Sequence, residues 1–214
     1  MRGYGVRFCR AGLLVLAMAG AVMAETAEEC YNQGTALLKA GKTAEAVAQF
    51  QRAIQLKPDL AAAHFNLGQA WEKQGSLDQA ASAYREAIRC KSDSRYLQSL
   101  GLVLKKKKQL PEAIAVFEQA TKADPNDPKA FFNLANACAE NSAPAVAVTH
   151  YERALKLRYP RPADVYMNLG IAYQKQGQNA AAVQAYENYL KAAPKATNAA
   201  QIREVVAGLR SGKK

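Results

Sequence analysis

A glycine or alanine recurs along the chain at Gly34, Gly68, Gly101, Ala135 and Gly170, at intervals of 34, 33, 34 and 35 residues. Other features keep the same register. Twelve residues after each marker stands an alanine: Ala46, Ala80, Ala113, Ala147 and Ala182. Four further on comes a ring, at Phe50, Tyr84, Phe117, Tyr151 and Tyr186. Three later there is another alanine, at Ala53, Ala87, Ala120 and Ala154, with Tyr189 breaking the series. Leucine precedes the marker at Leu67, Leu100, Leu134 and Leu169, and a proline closes units at Pro58, Pro125, Pro160 and Pro194. A chain with such a period is built by stacking copies of one small unit.

Each unit reads as two short helices joined by a turn near Gly41, Gly75 or Gly177. Small residues let two helix backbones approach closely, and the ring fills the space they leave. The apolar members of Phe50 to Ile54 fall at helical spacing, so one stripe turns inward and the charges turn out. One helix pair cannot bury that stripe alone, whereas stacked pairs share a continuous core.

The pattern of Leu-Gly, a large apolar residue, alanine, a ring and proline resembles the tetratricopeptide repeat family. The resemblance covers residues 27–210 and implies an all-α fold, a right-handed superhelical solenoid of helix-turn-helix repeats. The expected units are 27–60, 61–93, 94–127, 128–162 and 163–196. A capping helix follows over 197–210, with Ile202, Val205, Val206 and Leu209 on one face.

Residues 1–24 have a different composition. Arg2, Arg7 and Arg10 precede an uncharged, mostly apolar run from Ala11 to Val22, and Val22-Met23-Ala24 offers small residues where a signal peptidase reads. This predicts a secretory signal peptide and an exported product, periplasmic if the source is Gram-negative, without stable membrane insertion after cleavage. An uncleaved anchor is the alternative, although the run is short for a span of about 20 residues. No cysteine directly follows the run, so the lipoprotein pattern is absent.

The whole chain carries a formal net charge of +11; without residues 1–24, 26 basic residues face 18 acidic ones, a net of +8. Such a charge suits acidic protein segments, anionic lipid or acidic polysaccharide. No nucleic-acid motif accompanies it. Cys30, Cys90 and Cys138 follow the leader, with no metal or redox spacing. Cys138 takes the apolar place of Leu37, Trp71, Leu104 and Tyr173, so it is expected in the core. His64 occupies a packing place, and His150 a surface or interhelix one. With no phosphate loop, nucleophile elbow, paired-histidine motif or cofactor motif, the sequence points away from an enzyme and from a bound cofactor.

The resemblance implies that the first helices of successive repeats line a concave groove for a partner's peptide or helix. Carried onto this sequence, the groove has a polar row, Asn32, Asn66, Ser99, Asn133 and Asn168. Directly before it stand Tyr31, Phe65, Gln98, Phe132 and Met167 as candidate anchors. Five residues beyond the markers stand Lys39, Lys73, Lys106, Glu140 and Lys175. With Arg95 and Lys129 at the starts of the third and fourth first helices, the middle of the groove is expected to be positive, which favours an acidic, bulky-apolar partner. The sequence departs from the carboxylate clamp of some family members. Tyr31, Phe65 or Gln98 fill the places of its first lysine, although Asn66 matches one member of that set. The function expected is a protein-interaction adaptor of the cell envelope. The alternatives are a self-associating structural subunit and a binder of anionic lipid or polysaccharide surfaces.

Overall fold

The computed structural model describes residues 25–212, and the predicted signal segment lies outside them. The described residues form helices only. In chain order these are α1 (Ala27–Lys39), α2 (Thr43–Leu56), α3 (Ala61–Lys73), α4 (Leu77–Cys90), α5 (Ser94–Lys106), α6 (Leu110–Ala123), α7 (Pro128–Glu140), α8 (Pro144–Lys156), α9 (Pro162–Lys175), α10 (Asn179–Ala192) and α11 (Ala199–Ser211). Each helix packs on its successor, and first helices also meet across repeats, α1 with α3, α5 with α7 and α7 with α9. The result is an all-α solenoid of five helix pairs closed by α11.

Helix starts follow local chemistry. Thr26 and Glu29 form a reciprocal capping box on α1. Asp93 and Asp127 accept the second-residue amides of α5 and α7. Proline opens α7, α8 and α9, where its missing N–H costs nothing. The turns inside the pairs need one left-handed residue each. Gly41, Gly75 and Gly177 supply it at φ of 78°, 77° and 70°. In the third and fourth pairs Lys108 and Ser142 take the same place at 61° and 59°, a conformation unfavourable for side chains with a Cβ.

The marker glycines act by close approach. A Cβ on Gly34 would lie 2.7 Å from the Phe50 ring, on Gly68 2.6 Å from Tyr84 and on Gly101 2.5 Å from Phe117. Each of those rings is fully buried. Ala135 shows that its pair tolerates the extra methyl over Tyr151, with both residues buried. The repeated alanines Ala46, Ala80, Ala113, Ala147 and Ala182 are completely buried, so the helices meet at their smallest side chains.

The one long interval has a structural cause. After α8 an extra residue puts Arg158 at φ 60°. Tyr159 is thereby turned into the core, where it stacks on Phe132 at 4.4 Å between centroids. At the other end, Tyr189 replaces the small alanine and joins Ile202 and Val206 of α11 in one buried cluster. Its hydroxyl donates to Asn198 just ahead of α11, so the break in the alanine series forms the seat of the cap.

Candidate functional site: the face of the first helices

A helix turns about 100° per residue, so Arg95, Ser99, Leu102 and Lys106 share one face of α5. The same register in the other first helices gives four rows along the stack. The outermost are Glu28, Ala62, Arg95, Lys129, Asp164 and Lys39, Lys73, Lys106, Glu140, Lys175. Between them run Asn32, Asn66, Ser99, Asn133, Asn168 and Thr35, Gln69, Leu102, Asn136, Ile171. Three clefts open along this face. One of about 590 Å³ is lined by Thr35, Leu38, Lys39, Asn66, Gln69, Glu72, Lys73 and Lys106. A second of about 200 Å³ lies over Asn136, Glu140, Asn168, Ile171 and Lys175.

The asparagine row has a structural task. Asn66 Nδ2 donates to Thr35 Oγ1 at 3.3 Å, Asn133 Nδ2 to Gln98 Oε1 at 3.2 Å, and Asn168 Nδ2 to Asn136 Oδ1 at 2.9 Å. Each amide thus ties its helix to the first helix of the preceding repeat. Asn32 has no preceding repeat and is exposed. Ser99, the row's only hydroxyl, lies against the Tyr84 phenol. The side-chain oxygens of Asn66, Asn133 and Asn168 accept no hydrogen bond among the described residues, so they remain open to a ligand.

Three of the buried rings reach this face through their hydroxyls. Tyr84 donates to Glu72 at 2.9 Å, Tyr151 to Asn136 at 2.6 Å and Tyr186 to Gln174 at 2.9 Å. Burial raises the pKa of all three phenols, and for Tyr84 the Glu72 carboxylate adds to the effect. These rings are hydrogen-bond donors to the groove floor.

The basic residues divide into paired and unpaired ones. Lys106 Nζ contacts Glu72 at 2.6 Å, Lys105 contacts Glu140 at 2.6 Å and Lys107 contacts Asp78 at 2.6 Å. The lysine run therefore links the third repeat to both neighbours. Arg95 is held by Asp93. Lys39, Lys73, Lys129 and Lys175 have no ion-pair partner among the described residues. The middle of the groove is thus less positive than the sequence implies, because its lysine and arginine meet carboxylates distant in sequence or at the helix cap.

The aromatic row sits deeper than the open rows. Phe65 is half-buried, stacked on Tyr96 at 4.6 Å and tilted against Tyr84 at 5.6 Å. Phe132 lies between Tyr151 and Tyr159 in the same way. Tyr31 leans on Phe50, and Met167 packs against the cluster under the cap. These side chains wedge repeats together, and Phe132 and Met167, with Asp164 and Asn168, line a third cleft of about 390 Å³ before α11. In the third repeat Gln98 takes the aromatic place. It is buried, donates to Ser94 and Asp127, and accepts from Asn133. Sequence reasoning missed Leu102 and Ile171, which are 38% and 42% exposed on the face itself. Their signal was available: both sit one residue after a marker, three positions from the polar row.

The remaining chemistry-bearing residues are structural. His64 is buried and donates Nε2–H to the Pro58 carbonyl at 2.9 Å. His150 is half-buried beside Phe131, and burial lowers its pKa. Burial raises the thiol pKa of Cys30 and Cys138, and all three described cysteines are free. No helix among the described residues is long and apolar enough to cross a membrane.

Family models described as tetratricopeptide repeat match residues 31–95 and 134–207, and one described as TPR repeat matches 101–142. The chain belongs to the tetratricopeptide repeat family and is a protein-binding repeat protein. Among solved structures it is similar to YrrB, described as a TPR protein with an unusual peptide-binding site (TM-score 0.73, 20% identity, 84% of this chain and 93% of that one). It is also similar to MamA (TM-score 0.74, 18% identity, 81% and 94% covered). PilF of Pseudomonas aeruginosa is a third (TM-score 0.68, 21% identity, 87% and 89% covered). At these identities the likeness shows the fold. No curated protein matches the sequence.

Proposed function

We propose that the chain is a non-enzymatic adaptor, exported to the cell envelope, that holds a segment of a partner protein on the face of its first helices. The observation that carries this reading is the exposure of Leu102 and Ile171 between two rows of polar and charged side chains. The two share one register on one face, and apolar residues ringed by polar ones have the layout of a protein interface, with an apolar centre and a polar rim. YrrB, of the same fold, is described by its peptide-binding site, which fits a groove of this kind.

A photoreactive amino acid placed at Leu102 or Ile171 in the native cell tests the reading. Crosslinking to one protein from these positions, and not from the exposed Leu56 on α2, is the expected result. Equal labelling from Leu56 would overturn the groove as the site. Amino-terminal sequencing of the same purified protein tests export: a start at Glu25 is expected, and a retained Arg2 to Ala24 segment overturns cleavage.

A further inference from the structure

We infer that the groove reads an extended partner segment carrying an acidic residue, a bulky apolar residue three to six positions away, and a second bulky apolar residue about six positions beyond it. This rests on the first-helix face being the docking site and specifies what it selects.

The acidic end is placed by charge. Lys39 and Lys73 end α1 and α3, border the largest cleft and have no ion-pair partner among the described residues. The third lysine of their row, Lys106, is neutralised by Glu72. The fourth member, Glu140, is matched by Lys105. Two unpaired lysines thus face one cleft, beside Asn66 and Gln69, whereas the other unpaired lysines of the face, Lys129 and Lys175, each stand alone. A partner carboxylate gains most there.

The apolar positions follow from Leu102 in the third repeat and Ile171 in the fifth. Between them Asn136 is polar, and its Oδ1 already accepts from Tyr151 and Asn168, so it offers no apolar contact. Packed helices lie roughly 8–10 Å apart, so the two anchors are about 20 Å apart. An extended chain covers that distance in about six residues at ~3.3 Å each. One to two repeats separate the lysines from Leu102, which corresponds to about three to six residues.

The carboxamides select the extended form. The free oxygens of Asn66, Asn133 and Asn168 are acceptors on three repeats, and they need N–H donors. An extended backbone presents such donors, whereas an α-helix has spent its own internally.

Selection of random 16-residue phage-displayed peptides on the chain beginning at Glu25, followed by anisotropy titration and photo-crosslinking of the selected peptides, tests the inference. Enriched peptides should show the stated pattern in either chain direction and crosslink to α3, α5 or α9. The pair Lys39→Glu with Lys73→Glu should weaken them about tenfold. Exchanging the peptide's acid for lysine should restore binding to that variant, which a merely damaged fold would not allow. Leu102→Asp with Ile171→Asp should abolish binding. Peptides that crosslink to the face but lack the pattern, or ignore the lysine reversal, overturn the inference and leave the docking face standing. Peptides that crosslink only elsewhere overturn both.

Discussion

The Tyr84 hydroxyl reaches through the second helix pair to donate to Glu72 Oε2 at 2.9 Å, while Lys106 of the next repeat holds Glu72 Oε1 at 2.6 Å. A buried ring of one repeat, its own groove surface and the neighbouring repeat are thus joined at one carboxylate. Tyr84→Phe removes a hydrogen bond to a charged group and should cost about 1.5–3 kcal/mol in urea unfolding. The reciprocal change, Phe50→Tyr, should also destabilise the protein. Leu38 stands there in the place of Glu72 and offers the new hydroxyl no acceptor. Equal stability of either variant with the wild type would show that the phenol bonds carry no weight.

Gly101→Ala should lower stability by about 1–3 kcal/mol, because the added methyl meets the Phe117 ring at 2.5 Å and the helices must part. Ala135→Gly should also destabilise, by about 1–2 kcal/mol, through lost helix propensity and the lost packing of a buried methyl on Tyr151. Thermal unfolding of the two variants, combined with Phe117→Leu in the first, separates steric crowding from propensity. Relief of the Gly101→Ala penalty by the smaller partner is the expected outcome.

Lys108→Gly and Ser142→Gly should raise the melting temperature, each contributing up to about 1 kcal/mol, since both residues hold left-handed backbone. Gly75→Ala should do the opposite at the equivalent turn. A fall in melting temperature for Lys108→Gly would mean that the unfolded chain's gain in freedom exceeds the relief of strain.

Alkaline pH should unfold the protein cooperatively. Burial raises the phenol pKa of Tyr84, Tyr151, Tyr186, Tyr96 and Tyr173 in the fold, so the folded state keeps protons that the unfolded state gives up near pH 10. Their stabilisation is complete below pH 10 and falls as pH rises above it. Tyrosinate absorbance at alkaline pH should appear together with the loss of helical circular dichroism. Ionisation well before helix loss would show that these hydroxyls are more open than the structure has them.

The period, the marker glycines, the buried alanines and the turn glycines were legible in the sequence because each acts within its own unit or the next turn. The seat of the cap was visible as a break at Tyr189, though not its meaning. Pairings across repeats were hidden. Asn133 with Gln98, Lys105 with Glu140 and Lys106 with Glu72 join residues more than thirty positions apart, and a periodic pattern names rows without saying which row member spends its donor on a neighbour. The extra residue of the fourth unit was countable. That it would drive Tyr159 onto Phe132 depends on a left-handed Arg158, which no residue preference announces.

The asparagine rungs join the first repeat to the second, the third to the fourth and the fourth to the fifth, but the step from second to third has none. There α3 and α5 approach less closely than the other neighbouring first helices. The step is bridged by Lys106–Glu72, Lys107–Asp78 and Arg85–Glu112 instead. Neutral hydrogen bonds are nearly indifferent to electrolyte, whereas exposed ion pairs weaken as it rises. Taken as a spring, the superhelix has one coil where exposed ion pairs, with no neutral rung, supplement the apolar stack of Phe65 on Tyr96. Its pitch, and with it the span a bound segment must match, should respond to ionic strength most at that joint.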